Sequence, residues 1–217
     1  ILPIRFSKKL MKKTLLLCAL ILHASLYSAI PPDQALQILV EGNKRFATDK
    51  SLHPDRTSER RQETAANQEP FAVILGCSDS RVAPEIIFDQ GIGDLFIVRV
   101  AGNVVGPLEL DSIEYSALYL HSSLALVLGH ENCGAVKAVL QGNTKDIEAV
   151  ADLLQPAAIA TEKQKGDRLE NTIKMNVEMV SAQLKKSPVL SRLIAQKKFS
   201  VVGGYYNFHT GQVEILR

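Results

Sequence analysis

Hydrophobic residues in the first part of the chain recur at helical spacing. After Pro31-Pro32-Asp33, the apolar positions on one helical face are Leu36, Leu39, Val40 and Phe46. Residues 48–70 are polar and are typical of a surface helix or an exposed arm. The pattern therefore predicts an N-terminal helical arm over residues 31–70.

From residue 71 the pattern changes to short apolar runs without alternation. The three runs are Phe71–Leu75, Leu95–Val98 and Leu124–Leu128. Because strands of a parallel sheet are buried on both faces, continuous runs of this length favour such a sheet. A helix is predicted between the second and third runs, over Leu108–Leu120, and two more within residues 146–186.

The last part of the chain predicts a β-hairpin. Its strands are Phe199–Tyr206 and Gln212–Leu216, joined by the turn His209-Thr210-Gly211. The order of strands and helices predicts an α/β fold, a single domain over residues 31–217 with a mainly parallel β-sheet flanked by helices. A chain of 217 residues that is 46% hydrophobic is long enough to bury such a core.

The first 30 residues differ from the rest of the chain. Met11 is a natural start, Lys12 and Lys13 are basic, Thr14–Leu22 is apolar, and small residues follow through Ala29. This pattern predicts a secretory signal peptide, with an uncleaved membrane anchor as the alternative. Export would place a bacterial protein in the periplasm, without a stable membrane anchor.

The net charge depends on that leader. Residues 1–30 carry five of the 25 basic residues and no acid, so 20 basic and 23 acidic residues remain, a net charge of −3. No basic stripe remains that would indicate a nucleic-acid partner.

Two cysteines and a histidine follow predicted strands. Cys77 comes directly after the first strand, His130 after the third, and Cys133 three positions further on. Ligands for zinc are thiolate and imidazole groups, and sites in open parallel sheets form at the carboxyl ends of strands. Two cysteines in an oxidising compartment also suit a disulfide, and unrelated buried residues would give the same spacing.

An acid and a guanidinium group follow the first cysteine. Asp79 and Arg81 stand two residues apart on the predicted turn and can form a charge-assisted pair. Arg81 would keep Asp79 ionised as a hydrogen-bond acceptor beside the metal. A solvated surface pair is the alternative reading of the same residues.

Six segments together resemble the β-class carbonic anhydrases. Two of them, Cys77-Ser78-Asp79-Ser80-Arg81-Val82 and Gly129-His130-Glu131-Asn132-Cys133-Gly134, resemble the family's paired signature. The others are similar to its first-helix motif, its second-strand motif and its C-terminal hairpin: Glu41-Gly42-Asn43-Lys44-Arg45-Phe46, Val98-Arg99-Val100-Ala101-Gly102-Asn103, Gly204-Tyr205-Tyr206 and Thr210-Gly211. The resemblance runs from about residue 33 to the end.

The resemblance implies a zinc enzyme that hydrates CO2 reversibly to bicarbonate and a proton. Cys77, His130 and Cys133 would bind one zinc ion per chain, and hydroxide on that zinc would be the nucleophile. Asp79 and Arg81 would form the catalytic dyad that gates the fourth coordination position. In a closed state Asp79 itself would become the fourth ligand.

The resemblance also implies a substrate pocket and an oligomer. Gln68, Phe96, Tyr115 and Gly134 match pocket positions of the plant-like branch of the family. Gln68 would reach a neighbouring subunit, so the chain is expected to form a homodimer or a higher homo-oligomer with sites at the interface. His121, Tyr119 and Tyr115 are candidates for the proton shuttle.

The residue at position 74 distinguishes this chain from one branch of the family. The bicarbonate-inhibited branch has a Trp three residues before the first cysteine ligand, where this chain has Ile74, and the chain contains no Trp. Arg99, which accompanies that Trp, is present. An open site without this inhibition is therefore expected. Two alternatives stay open: hydrolysis of CS2 or COS on the same scaffold, and a secreted binding protein stabilised by a Cys77–Cys133 disulfide.

Overall fold

The computed structural model describes residues 30–216 of the chain. The predicted signal peptide lies outside the described residues, apart from Ile30. Within the described part, no helix is both long and apolar enough to span a membrane.

A five-stranded sheet forms the centre of the fold. The strands are β1 (Ala72–Gly76), β2 (Leu95–Arg99), β3 (Leu124–His130), β4 (Ser200–Tyr206) and β5 (Val213–Leu216). Their order across the sheet is β2-β1-β3-β4-β5. The first four are parallel, and β5 runs antiparallel to β4, as the predicted hairpin requires. Every residue of β1 and β3 is buried, which explains their uninterrupted apolar sequences.

Helices cover both faces of this sheet. They are α1 (Pro32–Ala47), α2 (Ser58–Glu63), α3 (Pro84–Ile87), α4 (Pro107–Tyr119), α5 (Gly134–Leu140), α6 (Glu148–Ala160), α7 (Arg168–Lys186) and α8 (Pro188–Ala195), with a 3-10 turn at Ala101–Asn103. The predicted α/β class, the mainly parallel sheet, the N-terminal helix and the C-terminal strand pair are confirmed.

Alternate residues of the central strands supply two apolar clusters. Val73 and Val127 face the cluster that α4, α7 and α8 cover. Ile74 and Leu126 face the opposite cluster, which α1 and α3 cover. Because side chains alternate along a strand, each central strand contributes to both cores.

Two glycines let α7 approach β3 and β4 closely, Gly129 near the carboxyl end of β3 and Gly203 in the middle of β4. A Cβ atom at Gly129 would lie 2.6 Å from a methyl carbon of Val177, and one at Gly203 would lie 2.7 Å from the other. Neither position has space for a side chain. This close approach places the buried middle of α7 beside the two strands.

Candidate metal centre

The parallel register of β1 and β3 brings two of the predicted ligands together. Gly76 pairs with Leu128, so Cys77, directly after β1, lies at the same edge of the sheet as His130 at the end of β3. A tight turn follows, in which Asn132 has a positive φ of 53°. Cys133 directly precedes α5 and is the third of the predicted metal ligands.

The three side chains form one buried cluster. The ligand atoms of Cys77, His130 and Cys133 all lie within 4.8 Å of one another. Both cysteines are free thiols rather than a disulfide. Two sulfur atoms and one imidazole nitrogen are the donor set of a catalytic zinc site, which leaves a fourth position of the tetrahedron open.

The orientation of His130 fits this interpretation. Its Nδ1 lies 2.8 Å from the carbonyl oxygen of Glu131, so Nδ1 carries the proton and Nε2 keeps its lone pair. Nε2 is buried and has no hydrogen-bond partner among residues 30–216. A buried polar atom without a partner is costly, and a zinc ion held by these residues would satisfy it.

A hydrogen bond between the two thiols shifts their pKa values in opposite directions. A hydrogen bond with Cys133 lowers the pKa of Cys77 well below its usual range, although burial of the Cys77 thiol opposes this shift. The same contact raises the pKa of Cys133 above its usual range. Because metal ligation requires thiolates, a cation bound by both sulfur atoms would favour deprotonation of both thiols.

A short backbone segment supports the first cysteine ligand. The amide N–H of Gly102 donates to the sulfur of Cys77 at 3.3 Å. The carbonyl oxygen of Gly102 accepts a hydrogen bond of 3.0 Å from the side-chain amide of Asn176, which is buried on α7. Gly102 has a φ of 71°, in the left-handed region that favours glycine. Asn176 thus holds the residue whose N–H contacts the ligand sulfur.

Asp79 and Arg81 form a bidentate ion pair beside the three candidate metal ligands. Nε and NH2 of Arg81 donate to the two carboxylate oxygens of Asp79 at 2.9 and 2.7 Å, and the backbone N–H of Arg81 adds a third bond of 2.9 Å. These hydrogen bonds from Arg81 hold the pKa of Asp79 well below its usual range. Oδ2 of Asp79 lies 4.0 Å from Nε2 of His130. An ionised acceptor therefore faces the position of the metal.

Arg99 ties the same loop to the end of β2. Its Nε donates to the carbonyl oxygen of Cys77 at 2.9 Å, and its NH2 to that of Asp79 at 2.6 Å. Both bonds go to backbone atoms, so the guanidinium group fixes the loop between β1 and α3.

The predicted pocket residues lie in three places. Gly134 begins α5 directly after Cys133, and a Cβ atom added there would meet nothing within 4 Å. Phe96 on β2 and Tyr115 on α4 lie together, with ring centroids 6.3 Å apart. Gln68 is exposed in the segment before β1. Their role in substrate binding stays a prediction.

The candidate proton shuttles lie near the other end of β3. His121 precedes the amino end of that strand, whereas His130 is its last residue. Seven residues of strand extend about 20 Å, which argues against a direct transfer between the metal site and His121 of the same subunit. Tyr119 is the last residue of α4, close to His121, so it also lies near the amino end of β3.

Phe208 is a neighbour of the site that the sequence did not reveal. Its ring lies 5.5 Å from the imidazole of His130 and 4.2 Å from the guanidinium carbon of Arg81. Asn176 lies on α7, outside the segments that carry the family resemblance. Phe208 lies in the C-terminal hairpin, between Tyr206 and Thr210, but is not one of the residues that carry the resemblance.

Comparisons with known proteins agree with this geometry. A family model described as carbonic anhydrase matches residues 72–213. Carbonic anhydrase 2 of Mycobacterium tuberculosis is 38% identical over 193 residues, covering 86% of this chain and 93% of that protein. The β-carbonic anhydrase of Coccomyxa, solved with acetazolamide, is 28% identical, with a TM-score of 0.66 over 82% of this chain and 84% of that one.

A further solved structure shares the fold at lower identity. It belongs to a pair of tetrameric β-carbonic anhydrases from the fungus Sordaria macrospora, with 22% identity and a TM-score of 0.67 over 83% of this chain and 96% of that one. With the buried Cys-His-Cys cluster at the strand ends, the family match and the sequence identities show that the chain belongs to the β-class carbonic anhydrases.

Proposed function

We propose that this carbonic anhydrase works with an open metal site in which Asp79 is the catalytic acceptor and Arg81 its positioning residue. The observation that carries the proposal is the position of the Asp79 carboxylate. Its Oδ2 lies 4.0 Å from Nε2 of His130, a buried atom without a hydrogen-bond partner in the described part of the chain. The substrate pair is CO2 and bicarbonate.

Cys77, His130 and Cys133 would hold the zinc ion. When bound, zinc supplies the Lewis acid that lowers the pKa of water from 15.7 to about 7. The chain contributes a dry, fixed ligand set, because the sulfur and nitrogen atoms are buried and oriented by hydrogen bonds from Gly102 and to Glu131.

Asp79 orients the reacting water. Its Oδ2 accepts a hydrogen bond from the water O–H, which aims an oxygen lone pair at the carbon of CO2. Arg81 keeps the carboxylate in that orientation by occupying a lone pair on each of its oxygens. Bicarbonate then leaves, and one proton passes to solvent before the next turnover.

Metal loading and CO2 hydration test the proposal together. Purified protein should carry about one zinc per chain, and Cys77→Ser should lose most of both the zinc and the activity. Ser78→Ala is the matched control, because Ser78 is the adjacent residue but is exposed. Full hydration activity in metal-free Cys77→Ser protein would rule the site out. Assays with COS and CS2 on the same samples test the alternative substrates.

The pocket residues support a further proposal, that the active unit is at least a homodimer. Phe96 pairs with Val73, four positions before Cys77, so it lies about 13 Å back along the sheet from the ligand. Its partner Tyr115 is 47% exposed, and β2 is an edge strand. A second subunit placed against this edge would bring such residues, and Gln68, to the partner's metal site.

Complementation between subunits tests this arrangement. Co-expressed Cys77→Ser and Gln68→Ala chains should together be more active than the mean of the two separate variants, since a mixed dimer contains one complete site. Light scattering at the assay concentration should show no monomer. An active monomer, or a mixture with only the mean activity, would contradict the proposal.

Export to the periplasm is also proposed. The support is the basic, apolar and small-residue pattern of residues 11–29. Fractionation of a bacterium that expresses the full chain should find the activity in the periplasm, with a mature N-terminus near Ile30. Recovery of an uncleaved chain in the membrane or the cytoplasm would contradict it.

A further inference from the structure

A row of aromatic rings leads from α1 to the metal ligands. Phe46 lies 6.5 Å from Tyr206, and Tyr206 meets Phe208 edge-on at 5.4 Å. Phe208 in turn lies 5.5 Å from the ring of His130. The row ends under the guanidinium group of Arg81, whose central carbon is 4.2 Å from the centre of the Phe208 ring.

Phe208 is fixed by its backbone as well as by its ring. It lies in the turn between β4 and β5, and its N–H donates to Oε2 of Glu131 at 3.0 Å. Glu131 is the residue whose carbonyl oxygen accepts the hydrogen bond from Nδ1 of His130. The turn itself is closed by Asn207, whose side-chain oxygen accepts N–H groups from His209 and Thr210. Glu131 therefore holds both the backbone of Phe208 and the imidazole ring of His130.

The ring of Phe208 reduces the conformational freedom of the Arg81 side chain. Its side chain is 54% exposed, and its side-chain hydrogen bonds in the described structure go to Asp79 alone. An exposed arginine held by a single partner retains much rotamer freedom. The face of an aromatic ring attracts a guanidinium ion and restricts it to one plane. Phe208 supplies this second restraint, since the centre of its ring lies 4.2 Å from the guanidinium carbon of Arg81.

We propose that Phe208 is a positioning residue that holds Arg81 in the orientation required to pair with both oxygens of Asp79. The proposal rests on the proposed role of Asp79 as catalytic acceptor. If Arg81 turned away, Asp79 would lose two of its three hydrogen bonds, the two from the guanidinium group. Its Oδ2, already 4.0 Å from Nε2 of His130, would then be free to move towards the metal.

Arg81 can be observed directly. In zinc-loaded protein labelled with ¹⁵N-arginine, the Nε–H signal of Arg81, assigned through its loss in Arg81→Lys, should be shifted upfield by the ring of Phe208. Phe208→Leu and Phe208→Met should both move this signal downfield. Phe208→Tyr keeps the ring and should leave the signal near its original position.

Activity is measured on the same samples. Phe208→Leu and Phe208→Met should lower kcat/KM about three- to tenfold, the range that corresponds to a partly exposed cation–π contact, at unchanged zinc content. Phe208→Tyr should restore most of the activity. Phe46→Leu is the matched control, because it removes a ring from the same aromatic row without touching Arg81 or His130.

The outcomes separate positioning from simple stability. An unchanged Arg81 signal in both ring-free variants would overturn the proposal, and so would a shifted signal with kcat/KM equal to that of Phe46→Leu. If the parent lacks zinc-dependent CO2 hydration, the proposed function fails, while the arginine signal still shows whether Phe208 orders Arg81.

Discussion

At the scale of single residues, the carboxylate of Asp79 should control activity without holding the metal. Asp79→Asn keeps the shape but removes the charged acceptor, so we expect activity to fall about 10²-fold while zinc stays bound. Arg81→Ala should also lower activity, because Asp79 then loses its side-chain partner. Zinc content by atomic absorption and initial rates of CO2 hydration measure both effects.

The pH profile of these variants has a defined shape. The hydrogen bonds from Arg81 lower the pKa of Asp79, so the parent carboxylate is ionised at all pH values above its ordinary pKa of about 3.9. Parent and Asp79→Asn rates should therefore differ by a constant factor from about pH 6.5 to about pH 9, a range around the zinc–water pKa of about 7. If both variants match the parent throughout, the dyad has no catalytic role.

Asn176 should affect the metal through the backbone of Gly102. Asn176→Leu removes the donor that holds the Gly102 carbonyl, so the N–H that contacts Cys77 loses its orientation. We expect zinc affinity to fall about tenfold, as for other residues that orient metal ligands. Competition with a chelator measures this. Thr172→Val, which removes both hydrogen bonds of the Thr172 hydroxyl elsewhere on α7, is the control and should keep the parent's affinity. Equal affinities in all three proteins would contradict the prediction.

The sequence revealed the ligands but not the residues that support them. Strand prediction placed Cys77 and His130 at the ends of apolar runs but left a disulfide or unrelated buried residues open. The family resemblance then identified Cys77, His130 and Cys133 as the zinc ligands. Asn176 is 74 positions from its partner Gly102, and Phe208 is 77 from its partner Glu131. Contacts over such separations depend on how α7 and the β4–β5 turn pack, which no local pattern records.

At the scale of elements, the apolar runs predicted the sheet accurately because β1 and β3 are buried on both faces. The short helices were harder to predict. α5 has seven residues and α8 has eight, fewer than three helical turns, so their apolar periodicity is short. α8 begins directly after α7, where Ser187 accepts the N–H groups of Val189 and Leu190 and Pro188 starts the new helix.

Asp89 should stabilise the packing of the N-terminal arm. Its fully buried carboxylate contacts Nε of Arg45 on α1 at 2.6 Å and accepts N–H groups from Leu52 and His53 at 2.9 and 3.0 Å. Asp89→Asn leaves Arg45 without its counter-ion, so we expect the free energy of unfolding to fall by about 2 kcal/mol at pH 7. Urea unfolding measures the change. Asp111→Asn, at an exposed position on α4, is the control.

The effect of Asp89 should also depend on pH. Burial raises the pKa of Asp89. The N–H groups of Leu52 and His53 and the guanidinium of Arg45 together lower it by more than burial raises it, so the net pKa is below the ordinary one. A carboxylate with a lowered pKa stabilises the fold above its unfolded pKa of about 3.9 and ceases to do so as the pH falls through the folded value. The difference between parent and variant should therefore be constant at neutral pH and shrink below about pH 4. A difference that instead grows in acid would contradict this account.

At the scale of the whole molecule, inhibition by the product would require a second anion site coupled to the metal. The position that carries Trp in the bicarbonate-inhibited branch is Ile74, which is fully buried in β1 and packs in the apolar cluster under α1. A buried Ile offers no donor to an anion, and an anion placed in that apolar cluster would be poorly compensated for its lost water. Arg99 donates two of its N–H groups to the backbone of Cys77 and Asp79.

We therefore predict that bicarbonate does not inhibit cooperatively. Initial rates of CO2 hydration at fixed pH, at about pH 7.5 and above, should fall with rising bicarbonate along a simple hyperbolic curve, because product competes at each metal site independently. Chloride at equal ionic strength is the control and separates specific inhibition from charge screening of the exposed Arg81. A crystal grown at the same pH should keep Asp79 paired with Arg81. A sigmoidal inhibition curve, or Asp79 bound to zinc with bicarbonate beside Arg99, would place the chain in the inhibited branch. It would also show that the subunits couple their sites although Ile74 stands in place of the Trp.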